Sequence, residues 1–210
     1  MLTLTRTANA GVLLAMDGKK ILLDGVCREI YPYSATPDHV KKDLSLQYPD
    51  IVAVSHRHDD HCDPFFEHQY QMATGRSVLD PACGKTTISC GDIQVHVIPS
   101  RHIGKADIDH VSFVLEGSIC VWFMGDAAPA QWKHIEGMKE PDLLIAPYAY
   151  ASTQSAWNMT KAFGAKKIVL LHLPEKDRDP YGLWGSVVQT VGENGPVFIP
   201  KMEEFIEIAF

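Results

Sequence analysis

The sequence predicts an α+β fold in which two β-sheets pack against each other and helices cover the outer faces. Strand-like segments dominate the chain and fall into two strand-rich halves. Only a few short helical segments interrupt them. Several strands, at 51–54 (IVAV), 143–147 (LLIAP) and 167–171 (KIVLL), are continuous apolar runs that need cover on both faces.

Residues 12–16 (VLLAM) and 20–24 (KILLD) flank Asp17-Gly18-Lys19, whose DG step signals a hairpin. From Gly25 to Thr36 no periodicity survives Tyr31, Pro32 and Tyr33, so a loop is expected before a short helix near 37–46. After the strand at 51–54, Asp63 supplies an N-cap and Pro64 a first-turn residue for a helix over 64–74. Four short strand candidates follow, SVLD (77–80), TTISC (86–90), IQVHVIP (93–99) and HVSFVLE (110–116), separated by Gly, Pro and Asp. ICVWFM (119–124) is a further strand, ending at Gly125-Asp126. LLIAP and KIVLL enclose a helix at 153–163, and the chain returns to strand character in VFIP and EFIEIAF. There is no repeat and no linker, so residues 1–210 read as a single domain.

The net charge of −7 disfavours nucleic acid as a partner, because polyanion binding draws on clustered Lys and Arg. No apolar run approaches the roughly 20 residues that span a bilayer. The five cysteines are an odd number without CxxC spacing, and the start, MLTLTRTANAG, lacks the pattern of a signal peptide. Both features lead to the expectation of a reducing cytoplasm. The oligomeric state is not encoded in any motif.

The densest chemistry lies in His56-Arg57-His58-Asp59-Asp60-His61, three imidazoles and two carboxylates directly after a buried strand. Alternate residues of an extended segment point the same way, so His56 and His58 can share one ion, while Asp60 and His61, beyond a turn, can face a second. A mixed His and carboxylate set suits a catalytic metal site better than a closed structural one. His102, Asp126 and His172 each stand just past an apolar strand, where strand ends can converge. His96 and His110 rank as structural, since one lies inside a strand pattern and the other opens one. Asp24 either orients a ligand imidazole through its second N–H or holds a turn. Cys62, beside His61, reads as a small packing residue.

HRHDDH, His102, Gly125-Asp126 and His172, in that order, resemble the HxHxDH pattern and the later single ligands of the metallo-β-lactamase superfamily. The branch most similar includes sugar-phosphate lactonases and other compact hydrolases. The resemblance implies a four-layer αββα sandwich with two mixed sheets and the site along one sheet edge. It implies that His56, His58 and His102 hold a first ion, that Asp60, His61 and His172 hold a second, and that Asp126 bridges them. Ala127 departs from the pattern, which often has a hydroxyl residue there.

The implied activity is that of a metal-dependent hydrolase, with a hydroxide between two metals attacking a small-molecule ester, lactone, thioester or amide. Asp60 and Asp126 would hold the nucleophile and take its proton. The imidazole-rich set favours two Zn2+, with Mn2+, Fe2+ or Ni2+ as alternatives. A phosphodiesterase or nuclease of the same fold is the alternative reaction, and a non-catalytic metal-binding protein a third reading. Tyr31, Tyr33, Arg101, Lys105, Tyr148, Tyr150 and Trp184 fall in candidate loops near strand ends and are the expected substrate contacts.

Overall fold

The computed structural model describes residues 1–105, 107–130, 137–192 and 195–210. Two sheets form the centre. The first has five strands, β1 (Leu2–Arg6), β2 (Val12–Met16), β3 (Lys19–Leu23), β4 (Ile51–Ala53) and β12 (Phe205–Ile208), in the order β12-β1-β2-β3-β4. The second has seven, β5 (Thr86–Cys90), β6 (Ile93–Arg101), β7 (Asp109–Glu116), β8 (Cys120–Phe123), β9 (Leu143–Pro147), β10 (Lys167–Leu171) and β11 (Val197–Phe198), in the order β11-β10-β9-β8-β7-β6-β5. Both are mixed: β3 pairs parallel with β4, and β8, β9, β10 and β11 run parallel while β5 to β8 alternate.

Four layers follow from which residues each strand turns inward. Leu2, Leu4, Val12, Leu14, Ile21 and Leu23 of the first sheet meet Val95, Val97, Phe113, Val121, Phe123 and Ile145 of the second in one apolar core. The outer face of the first sheet, through Leu22, Val52 and Val54, is covered by α1 (Asp38–Leu46) and α2 (Pro64–Thr74), which contribute Leu44, Phe66 and Tyr70. The outer face of the second sheet, through Val114, Trp122, Leu144 and Leu170, is covered by α3 (Gln154–Lys161) and α4 (Leu183–Val191) with Trp157 and Val187. This is the αββα sandwich.

The N-cap of α2 is as expected, Asp63 accepting from Phe65 N at 3.0 Å, and Gly75 ends the helix at φ 68°. Three elements differ from the sequence reading. SVLD forms no strand; only Leu79 bridges, to Ala53 beside β4. β1 is an unforeseen strand, its Leu2 and Leu4 buried beside outward threonines, and it pairs with β12. α4 was also unforeseen, because Gly185 and the β-branched Val187, Val188 and Val191 are poor helix formers. Its first turn is held by Asp179, whose carboxylate accepts from Leu183 N (3.0 Å) and Trp184 N (2.9 Å). Among the described residues no helix is long and apolar enough to cross a membrane.

Candidate metal centre

The C-terminal ends of β4, β6, β8 and β10 open on the same edge of the sandwich and deliver the cluster, His102, Asp126 and His172 to one place. Three groups of ligand atoms result, each mutually within 4.8 Å: His56, His58 and His102; His56, His61 and Asp126; Asp60, His61 and His172. Asp126 Oδ2 stands between the two imidazole sets, 3.7 Å from His102 Nε2, 3.5 Å from His61 Nε2 and 3.4 Å from His172 Nε2. His172 Nε2 is also 3.1 Å from Asp60 Oδ2.

Hydrogen bonds behind the rings aim them inward. His61 Nδ1–H donates to Asp24 Oδ2 at 2.8 Å, and His102 Nδ1–H donates to the Ile103 carbonyl at 2.6 Å, which leaves each Nε2 lone pair facing the centre. Ser55 Oγ donates to Asp24 Oδ2 (2.6 Å) and accepts from His56 Nδ1 (3.0 Å). Asp24 therefore orients two imidazoles, one directly and one through Ser55. His110 is structural, as expected, and its role is specific: Asp126 N–H donates to its Nε2 at 2.9 Å, and its Nδ1 faces Ser100 Oγ at 2.7 Å. Gly125 permits this approach. It sits at φ 52°, and a Cβ there would lie 2.4 Å from the Ser55 Cβ. Arg57 turns away from the centre to Glu67 (2.6 Å) and Asp80, tying the histidine loop to α2. Asp59 pairs with Arg28 on the surface.

The site demands positive charge. Burial opposes ionisation of Asp126, yet the His172 and His61 imidazoles outweigh it and hold the carboxyl well below its usual range. Asp60 is likewise held low against burial by His172 and His61. The same pairing works on the rings: against burial, Asp126 raises His61, and Asp126 with Asp60 brings His172 up to about 9. On the other side, burial and neighbouring imidazoles push His56 and His58 down, so they are neutral. His61 Nε2, His102 Nε2 and Asp126 Oδ1 are buried without a hydrogen-bond partner among the described residues. Buried lone pairs directed at one another are costly unless a cation sits between them, and this donor set fits borderline divalent ions.

The expected substrate contacts separate. Tyr33 and Tyr148 reach the centre: their rings lie edge-on to His172, at centroid distances of 4.5 and 6.2 Å. Burial, first of all, raises both phenols, so both keep their protons. Arg101 and Lys105 are exposed on the segment that carries His102. Tyr31 is exposed and lies beneath the Arg178 guanidinium, 6.0 Å from its ring centroid. One expectation is corrected. Tyr150 is fully buried, its ring stacked on Phe163 in the core beneath α3, so it cannot touch a substrate. Trp184 lies on α4 and spends its indole N–H on the Pro174 carbonyl at 2.8 Å, propping the loop after His172. Sequence reasoning missed Asn9, in the β1–β2 loop, whose amide nitrogen lies 3.4 Å from both Asp60 Oδ2 and His172 Nδ1.

With this geometry in place, comparison with known proteins is informative. Solved structures of the same architecture include a metallo hydrolase, Igni18, from the hyperthermophilic archaeon Ignicoccus hospitalis (17% identity, TM-score 0.68, 100% of this chain and 99% of that chain). An isothiocyanate hydrolase from Delia radicum gut bacteria is similar at 16% identity and TM-score 0.67, over 98% of this chain and 99% of that one. The third, CmlA, a diiron β-hydroxylase from Streptomyces venezuelae, matches at 14% identity and TM-score 0.64, over 99% of this chain and 54% of that one. No curated protein matches the chain. Residues 3–171 match the family described as Beta-lactamase superfamily domain, a span that ends one residue before His172. The chain therefore belongs to the beta-lactamase superfamily and has the metallo-β-lactamase fold.

Proposed function

We propose that the protein is a metal-dependent hydrolase of small, uncharged carboxyl-type substrates: esters, lactones, thioesters or amides. The observation that carries this reading is the convergence of seven ligand side chains with three buried atoms, His61 Nε2, His102 Nε2 and Asp126 Oδ1, left without hydrogen bonds among the described residues. In this reading His56, His58 and His102 would hold one ion, Asp60, His61 and His172 the other, and Asp126 would serve both. The imidazole-rich set favours Zn2+, and Mn2+, Fe2+ or Ni2+ are the alternatives.

Two divalent ions, when bound, supply the Lewis acidity that polarises a carbonyl oxygen and brings the pKa of water toward 7. The chain supplies orientation and proton handling. Asp60 or Asp126, each kept ionised by its histidine neighbours, would accept the one proton released from the water. Tyr148, held protonated and accepting from Tyr33, would donate to the substrate from the His172 side. The half-exposed His58 marks the open side. There a cleft of about 370 Å³ is walled by Pro81, Ala82 and Ile108 and carries the carboxylates of Asp80 and Asp109. Arg57, also in its wall, is paired with Glu67 and Asp80, which leaves Asp109 as the unpaired charge of the cleft lining among the described residues. That balance repels a phosphodiester and admits a neutral group, which favours the carboxyl substrates over phosphodiesterase or nuclease chemistry.

The test is a panel of simple esters, lactones, thioesters and amides, with an isothiocyanate and a generic phosphodiester, assayed on metal-loaded and chelator-stripped protein. Metal-dependent turnover of a neutral member, abolished together with metal binding in His58→Ala and Asp126→Ala, is expected. Turnover of the phosphodiester alone would replace the substrate class, and a fully active, metal-free His58→Ala protein would overturn the mechanism.

A further inference from the structure

We propose that Asn9 is the positioning residue of the second-ion half of the site: its carboxamide donates to Asp60 beside His172 and holds that carboxylate in place, and retention of a second ion depends on it. The proposal rests on the two-ion reading above.

Asp60 and His172 come from different sheets. Asp60 follows β4 of the five-stranded sheet and His172 follows β10 of the seven-stranded one. Asn9, only 2% exposed, is the residue whose side chain contacts both, with its amide nitrogen 3.4 Å from Asp60 Oδ2 and 3.4 Å from His172 Nδ1. Its backbone is fixed independently of that side chain. The Asn9 carbonyl accepts from His172 N at 3.2 Å and from Arg6 Nη2 at 3.2 Å. The buried Arg6 guanidinium also donates to the carbonyls of Ala8 (3.2 Å), Leu173 (3.2 Å) and Pro200 (3.0 Å), clamping the β1–β2 loop to the chain just past His172.

His172 turns Nε2 toward Asp60 and Asp126 and Nδ1 toward Asn9. Both contacts are made by the one amide nitrogen, so turning the amide would set its oxygen against the Asp60 carboxylate; Asn9 therefore acts as a donor that fixes Asp60 beside His172. The first-ion group is served by other partners: Ser55 for His56 and the Ile103 carbonyl for His102. Asn9 therefore acts on one half of the site only. Truncation to alanine removes the amide and keeps the backbone bonds, so it separates positioning from folding.

The experiment titrates Zn2+ into chelator-stripped wild-type protein, Asn9→Ala and Asn9→Asp, reading stoichiometry and the two affinities by calorimetry, with metal-free thermal unfolding as the fold control. Wild-type protein is expected to take up two ions. Asn9→Ala should bind the first normally and the second roughly 10- to 100-fold more weakly, the usual effect of removing a partner behind a ligand. Asn9→Asp, which has no N–H for Asp60, should bind the second ion as weakly as Asn9→Ala. Normal binding of both ions by Asn9→Ala overturns the proposal, as does equal weakening of both ions or an Asn9→Asp variant that binds the second ion normally. If Asn9→Ala fails to fold, the assignment rests on Asn9→Asp alone and falls if that variant keeps the second ion at wild-type affinity. A wild-type protein that binds one ion only refutes the two-ion reading itself, a result distinct from any of these.

Discussion

His61 Nδ1 lies 2.8 Å from Asp24 Oδ2, and both side chains are fully buried. Asp24 also accepts from Ser55 N and Ser55 Oγ, each at 2.6 Å, so one carboxylate satisfies three donors and sets the orientation of His61 and, through Ser55, of His56. Asp24→Ala should therefore fail twice. It strands two buried N–H donors, those of His61 and Ser55, at a cost of roughly 2–6 kcal/mol in the metal-free protein. It should also weaken metal binding about 10- to 100-fold. Urea unfolding after chelator treatment and metal content after gel filtration read the two effects separately.

Metal should stabilise the fold by mass action, because the ligands converge only in the folded chain. Free ion at about 100 times its dissociation constant adds about 2.7 kcal/mol. For a chain of 210 residues, that corresponds to a rise in Tm of about 5–10 °C. Thermal scans with excess chelator and with added Zn2+ should differ by this amount, and the difference should disappear in Asp126→Ala.

Much of the site was legible because its residues sit where strands stop. His102, Asp126 and His172 each follow an apolar run, and HRHDDH is too dense to be a chance loop. Contacts that depend on the third dimension were not legible. Asn9 is an ordinary polar residue in the bend between two strands, and nothing nearby in sequence marks Asp60 and His172 as its neighbours. Tyr148 and Tyr150 look equivalent after β9. They lie in a 3-10 turn, where residues two apart point in different directions, so Tyr148 faces His172 and Tyr150 enters the core. α4 escaped because its own residues oppose a helix and its capping carboxylate, Asp179, lies beyond the usual capping position.

The five cysteines should differ sharply in reactivity. Burial pushes the thiols of Cys62 and Cys120 up to about 11, so at pH 8 only about one in 1,000 is thiolate, the reactive form. Cys27 is also buried, Cys90 is half-buried with its thiol raised by burial, and Cys83 is exposed. A chromogenic disulfide reagent at pH 8 should modify one thiol per native chain rapidly, and Cys83→Ser should remove that phase. Cys62 and Cys120 should react only when the protein unfolds; rapid modification of Cys62 would show that the packing under α2 opens readily.

Tyr150→Phe should stabilise the protein. The Tyr150 hydroxyl is buried with no hydrogen-bond partner among the described residues, while the ring itself is well packed against Phe163. Deleting the oxygen removes a polar group that gave up its water without compensation and leaves every ring contact in place. The gain should be about 1 kcal/mol, or a rise in Tm of about 2–4 °C. Because the side chain has no exposed surface, turnover of whichever substrate the panel identifies should be unchanged. A loss of stability in Tyr150→Phe would mean that the hydroxyl is satisfied by buried water, and a loss of turnover at unchanged stability would return Tyr150 to the active site.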